Sequence, residues 1–219
     1  MLKTGNTFID LFSLARVFAP LLPVLILFLR KTYQKDVLTY LLILCLIEFI
    51  GGTVALLARE SPTLESSSRH VFSLLELVLL GQIAKTVVSA RLGAIIDSIL
   101  VAFTSSLLTF YLLKGVDRGE SGIAFIEYGI MLLFMAAALA ELVQADSMAI
   151  FQKPIFYIAC GALFFSMVAA LLEGISLCCP TVSMEAAGDK AILLDIADLV
   201  RYFFFVGAAL CFRPPGGSD

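Results

Sequence analysis

The chain has 219 residues, 60% of them hydrophobic and 15% charged, with a mean hydropathy of +1.00. Soluble domains are roughly 45–50% apolar and about 25% charged, so this chain has too little polar surface to wrap a water-soluble globule. Fifteen basic against 18 acidic residues leave a net charge of −3, and no basic patch exists for a nucleic acid. The class that remains is all-α: a polytopic membrane protein, one bundle of seven transmembrane helices spanning 1–219.

A helical span needs about 20 mostly apolar residues. Seven runs satisfy this, at about 7–29, 37–58, 70–89, 92–113, 122–144, 155–177 and 191–212, followed by a polar tail at 213–219. Unpaired backbone groups are not tolerated in lipid, and the ten-residue alternation of barrel strands is absent, so the runs are helices. Run 1 carries Asp10 and Arg16 and has no small-residue cleavage site, unlike a signal peptide. Its Pro20 and Pro23 predict a kink. The longest loops are expected at about 59–69 and 178–190.

Charge at the helix ends orients the bundle weakly. Arg30, Lys31, Lys35, Lys85, Arg91, Lys153 and Arg213 fall on one side; Lys3, Arg59, Arg69, Lys114, Arg118 and Lys190 fall on the other. The dense Arg30–Lys35 cluster beside an early short loop tips the balance. The expectation is a multi-pass protein of the inner (cytoplasmic) membrane, N-terminus outside and C-terminus cytoplasmic.

Cys45, Cys160 and Cys211 lie in apolar runs and read as small buried hydrophobes. Cys178 and Cys179 are adjacent in an outer loop, where neighbouring cysteines rarely pair with each other. The single histidine, His70, disfavours a multi-histidine metal centre, and the lack of tryptophan weakens an aromatic cage. Run 7 has no interior lysine for a retinal Schiff base, so no cofactor and no metal ligands are predicted, although a bound cation is compatible with the sequence.

Ionisable residues within the membrane should face the bundle interior and find partners, because each costs about 2.5–3.5 kcal/mol at mid-bilayer on insertion scales. With the N-terminus outside, Glu76 lies about 9 Å below the outer end of run 3, Glu127 about 8 Å below that of run 5, and Asp195 and Asp198 about 6–10 Å below that of run 7. Glu173 is near the outer end of run 6, and Glu48 and Arg201 fall near mid-membrane. Asp195, Asp198 and Tyr202 share a helix face, and Arg201 can reach Asp198 three residues before it. Arg201 is predicted to neutralise Glu48, Asp198 or both. Ser73 shares a face with Glu76, whereas His70 points about 120° away from Glu76. Six carboxylates (Glu48, Glu76, Glu127, Glu173, Asp195, Asp198) against two arginines (Arg16, Arg201) leave several to be protonated, hydrated or bound to a cation. Structural interhelical hydrogen bonding is the competing reading of each residue singly.

Certain short segments carry a resemblance: Leu46-Ile47-Glu48, then His70-Val-Phe-Ser-Leu-Leu-Glu76-Leu opening run 3, Ile126-Glu127 opening run 5, and Pro154-Ile-Phe-Tyr157 opening run 6. The chain resembles a family of small seven-helix bacterial inner-membrane proteins with a His…Leu-Leu-Glu segment in helix 3 and no assigned activity. It departs from that pattern at Cys160 or Gly161, where an amide side chain is usual, and in run 7, where Asp195 and Asp198 replace a histidine or asparagine. The resemblance implies the fold rather than an activity.

Four functions compete. In the first, a ligand-binding or sensory module places Glu48, His70, Glu76, Glu127, Asp195, Asp198, Arg201 and Tyr202 around a pocket in the outer half and signals to a cytoplasmic or membrane partner protein. In the second, the chain is a non-catalytic subunit of a membrane complex. In the third, it is an intramembrane hydrolase of a lipid-like substrate, with Glu76 and Glu127 as the catalytic acid pair. A proton- or cation-coupled transporter is the fourth, opposed by the apolar inner half (Met131–Leu139, Phe203–Phe212).

Overall fold

The computed structural model describes residues 7–32, 36–58, 61–114, 120–145, 150–179 and 187–211. Among them there is no strand. The helices are α1 (Thr7–Phe18), α2 (Leu21–Arg30), α3 (Asp36–Leu57), α4 (Pro62–Lys85), α5 (Ala90–Lys114), α6 (Glu120–Ala145), α7 (Pro154–Cys178) and α8 (Ala187–Cys211), with one 3₁₀ turn at Ile150–Gln152 before α7. The protein is a helical membrane bundle. α1 and α2 together form the first crossing. At the predicted kink the helix is interrupted at Ala19 and Pro20: the backbone at Pro20 stays helical and Ala19 N–H still donates to Ala15 O, but proline has no N–H to donate and its ring crowds a continuing helix. Pro23 is tolerated in the first turn of α2, where N–H groups have no intrahelical acceptor anyway.

Two expectations about loops need correction. The predicted loop at 59–69 is helical from Pro62 onward, because Ser61 is extended and Pro62 sits in the first turn with its φ already helical. The third crossing therefore starts eight residues before position 70, about 12 Å of extra helix. The predicted loop at 178–190 is shorter too, since α7 runs to Cys178 and α8 begins at Ala187. The side chain of Asp10, the loop residues Lys35, Arg59 and Arg118, and the tail at 213–219 lie outside the described residues.

Five segments are long and apolar enough to cross a membrane: Phe12–Arg30, Asp36–Leu57, Ala90–Leu113, Gly122–Ala145 and Pro154–Cys178. α4 and α8 are as long. α4 opens on a polar stretch, however, and α8 carries Asp195, Asp198 and Arg201.

α3, α4, α6, α7 and α8 close into a ring with the α1–α2 pair, and α5 packs mainly on the outside of α4. Half of the residues in the α7 span are buried but only 17% of those in α5, so α7 is a central helix and α5 a peripheral one. Where α7 meets α8, a methyl group on Gly161 would stand 2.8 Å from Phe204 Cβ and 3.1 Å from the Arg201 carbonyl oxygen. Only glycine allows that approach, the usual role of small residues at membrane helix contacts. Leucines 22, 25 and 29 on α2 and Val101, Leu108 and Leu112 on α5 are exposed, as lipid-facing side chains are.

The end where α1, α4, α6 and α8 begin is called the N face here, and the opposite end the C face. Towards the C face the core is apolar: Met131, Phe134, Met135 and Ala138 of α6 pack in one cluster with Phe205, Ala208 and Ala209 of α8. Arg30 closes this end by donating from Nη1 to the carbonyl oxygens of Leu210 (2.6 Å) and Ala209 (3.4 Å). A cation on the last carbonyls of a helix satisfies acceptors that have no helical donor and complements the helix dipole. The contact also sets α2 parallel to α8, level with its last turn.

Candidate functional site

The polar residues meet on α8. Its side chains at 195, 198, 201 and 202 fall on adjoining faces because the helix turns about 100° per residue. Arg201 is the centre: its side chain is only 3% exposed and reaches three carboxylates on three helices. Nη1 pairs with Glu76 of α4. Nη2 lies 3.0 Å from Glu48 Oε2 of α3 and also pairs with Asp198, one turn earlier on α8. The guanidinium carbon stands 4.2 Å over the ring of Phe165 on α7, a cation–π contact that closes its remaining face. Tyr202 donates its hydroxyl to Glu48 Oε2. Arg201 thereby connects α3, α4, α7 and α8.

Arg16 forms a second centre. Its Nε donates to Asp198 Oδ2 at 2.7 Å and its Nη1 to Asp195 Oδ1 at 2.8 Å. Ser13 adds a hydrogen bond to Asp195 Oδ2 at 3.2 Å. Asp198 is shared, so the two arginines and four of the carboxylates form one continuous network across α1, α3, α4 and α8. The Arg16 side chain is 44% exposed, in contrast with Arg201. Glu127 of α6 is 2% exposed and stands beside Ser73 and Glu76 of α4, without an arginine of its own.

The predicted neutralisation of Glu48 and Asp198 by Arg201 is what the bundle contains. Glu76 is a third partner that the sequence reading did not assign to it. Glu76 was expected nearer the outer surface than Arg201. The two are level because α4 begins two turns earlier than run 3, and both residues sit fourteen positions into their helices, about 21 Å. Glu48, Glu76, Asp195, Asp198, Arg201 and Tyr202 are brought together, with Glu127 next to Glu76. His70 turns elsewhere: its ring lies against Tyr111 of α5, the centroids 5.3 Å apart. Glu173 leaves the cluster as well, pairing with Lys190 at 2.9 Å near the N face.

Missed from the sequence were the partners of Arg16 and the role of Phe165. The first depends on α1 lying parallel to α8, which no local pattern encodes. A phenylalanine under a guanidinium has no sequence signal at all in a chain with 18 phenylalanines.

Five carboxylates (Glu48, Glu76, Glu127, Asp195, Asp198) share this region with two arginines. Unneutralised charge in a low-dielectric interior is strongly disfavoured, so the surplus of three must be met by protons or by a bound cation. Three carboxylate oxygens are buried with no hydrogen-bond donor: Oε1 of Glu48, Oε1 of Glu127, and Oδ1 of Asp198, which stands in an ion pair with Arg201 Nη2. The Ser166 hydroxyl on α7 is in the same condition. Natural proteins rarely leave such atoms without partners unless something else meets them. Among the described residues no three His, Cys, Asp or Glu side chains are arranged to hold a metal ion.

Comparison with known proteins gives no match: no family model fits the chain, and no curated protein and no solved structure is significantly similar to it.

Proposed function

We propose that the protein is a membrane-embedded binding module that takes a small organic cation at the carboxylate cluster of α3, α4, α6 and α8. The observation that carries this reading is the surplus of buried carboxylates over arginines, together with the donorless oxygens of Glu48 and Glu127. A ligand bearing N–H groups would supply both the charge and the donors. The binding residues are Glu48, Glu76, Glu127, Asp195 and Asp198, with Arg201 and Tyr202 fixing the carboxylates in place. His70 has no part in this reading.

In the reading, the N face is outside and the C-terminus cytoplasmic, following Arg30 and Lys31 at the C face, and the membrane is a bacterial inner membrane of the seven-helix family that the sequence resembles. Binding that shifts α8 against α7 would be read by a partner protein at the C face, where Arg30 ties α2 to the end of α8. An acid-pair hydrolase fits less well, because Glu76 is held by Arg201 and is not a free acid opposite Glu127.

Native mass spectrometry of the gently extracted protein tests the proposal. The expected result is a discrete added mass on the parent, retained after buffer exchange and missing from the Glu76→Gln/Glu127→Gln double variant. Parent and variant that fly equally bare, from membranes in which the protein was made, would overturn it.

A further inference from the structure

Glu127 is the one acid of the cluster that the arginines leave to itself. We infer that Glu127 holds a proton while the site is empty and yields it to water at the N face when a cation binds, so that the protein exchanges one proton for one primary ammonium. The inference rests on the binding reading above and adds its ligand class and its coupling to pH.

The other carboxylates are met by charge. Glu48, Glu76 and Asp198 pair with Arg201, and Asp195 and Asp198 pair with Arg16. Glu127 is 2% exposed, and its Oε1 has no partner at all. α6 packs on α4 and α7. From α4, Glu127 is faced by the Ser73 hydroxyl and by Glu76, a second carboxylate already committed to Arg201. His70 of α4 is turned to Tyr111 and Lys85 to Asp97. On α7, Glu173 is turned to Lys190, while Tyr157 and Cys160 lie nearer the C face. Tyr128, the next residue on α6, sets its ring edge-on against Phe165. Among the described residues no lysine, arginine or histidine is placed to neutralise Glu127. An ionised carboxylate so enclosed is strongly disfavoured against its neutral acid, and a proton is the smallest cation that neutralises it. The acid form also suits Ser73, whose hydroxyl accepts from a carboxyl as readily as it donates to a carboxylate.

Height in the bundle decides which face the proton leaves by. Glu127 lies seven residues into α6, about 10 Å from its N-face end. Towards the C face, Met131 and Phe134 follow at four and seven residues on the same side of α6, 0% and 2% exposed. The apolar core begins directly beneath Glu127, so its exchange with water runs to the N face. A primary ammonium supplies what the proton supplies, a positive charge, and adds N–H donors for Oε1. It is a compact point charge, suited to a single unpartnered oxygen, whereas a guanidinium is a fork for two. One carboxylate cannot serve both occupants, so a proton leaves for each ammonium seated and the net charge of the site is unchanged.

Infrared difference spectroscopy of the full-length protein in lipid nanodiscs tests this. A protonated carboxyl has a C=O absorption well separated from that of a carboxylate, and it shifts in heavy water. The parent, washed at acid pH to displace any cation and returned to neutral pH, should show such a band, and Glu127→Gln should lose one carboxyl's share of it. Excess ethylammonium, the probe cation, should bleach the same band in the parent and release one proton per protein to a pH dye. Its apparent affinity for the parent should rise about tenfold for each unit of pH while Glu127 is protonated, as exchange for one proton requires. Binding to Glu127→Gln should be weaker and indifferent to pH. An acid band equal in parent and Glu127→Gln overturns the inference and leaves the binding reading standing. A band that ethylammonium does not bleach also overturns it, and the mass-spectrometric adduct then judges the binding reading separately. If Glu127→Gln does not fold, Glu127→Asp replaces it: the band should move in frequency, and an unmoved band would sink the idea.

Discussion

Arg201 and Arg16 carry the same functional group, share Asp198 and lie on neighbouring helices, yet they do different work. Arg201 is enclosed by α3, α4, α7 and α8, and every one of its carboxylate partners is itself buried. Arg16 meets the same network from a half-exposed position on a broken helix. What separates them is what becomes of the partners when the arginine is removed. Around Arg201 three carboxylates would lose their neutralising charge in an interior with no water to replace it. Around Arg16, Asp198 keeps Arg201, and Asp195 alone loses its counter-charge, left with the Ser13 hydroxyl. Burial of the guanidinium itself, 3% exposed against 44%, distinguishes the two more than the number of ion pairs does.

The largest effect expected is that of Arg201→Met. Breaking a buried ion pair by removing one partner typically costs about 3–5 kcal/mol, so this variant should be recovered aggregated or melt far below the parent in a detergent thermal-shift assay. Adding Glu48→Gln and Glu76→Gln to it should restore part of the lost stability, since the carboxylates left alone are the cause. A triple variant no better than Arg201→Met would show that Arg201 acts through packing on Phe165 instead.

Gly161→Ala tests the platform beneath Arg201. Its added methyl group would meet Phe204 Cβ and the Arg201 carbonyl oxygen, a backbone atom that cannot turn aside. Overpacking of this kind costs about 1–3 kcal/mol, which denaturation in graded SDS would resolve. Parental stability would mean that α7 and α8 can separate without disturbing the Arg201 network.

Arg16→Ala should be milder. Its partners Asp195 and Asp198 are 11% and 3% exposed, so the loss should exceed that of a surface pair, about 0–1 kcal/mol, yet stay below that of Arg201→Met because Asp198 keeps Arg201. A loss as large as that from Arg201→Met would erase the distinction drawn between the two arginines. Smallest of all should be Lys85→Ala. It removes the 2.7 Å pair with Asp97 at the C face, where the two side chains are 29% and 50% exposed. An exposed pair of this type is worth at most about 1 kcal/mol, and the melting curve should barely move. Glu127→Gln should hold or raise stability, because it replaces an acid that has no arginine by a neutral amide that can still accept from Ser73; a clear loss in the same assay would show that the charge of Glu127 is itself structural.

A second contrast runs along the bundle axis. The half near the C face is apolar, packed from Met131, Met135, Phe205 and Ala208, and closed by Arg30 on the end of α8. The half near the N face and the mid-level hold the charges. That division fits the proposed binding from one side better than a path through the bundle.

Much of this architecture was legible in the sequence. Runs of about 20 apolar residues set the crossings, because lipid leaves a backbone no other way to satisfy its N–H and C=O groups than an uninterrupted helix. Pro20 marked the break in the first crossing for an equally local reason. The face shared by Asp195, Asp198 and Tyr202, and the reach of Arg201 to Asp198, followed from helical spacing alone. The start of α4 did not, because a polar segment headed by Pro62 reads as loop when judged by hydropathy and as helix when judged by its cap.

What only the tertiary structure decided is which charges meet. Glu76 belongs to Arg201 because α4 and α8 place them at one level, and Arg16 belongs to Asp195 and Asp198 because α1 runs parallel to α8. His70 and Glu173, polar and near the same end, are drawn away by Tyr111 and Lys190. The composition determined that ionisable side chains would turn inward, since each is disfavoured in lipid. It did not determine their partners, because pairing depends on the lateral order and relative height of helices, and those are set by packing contacts such as Gly161 against Arg201 that span forty residues of chain.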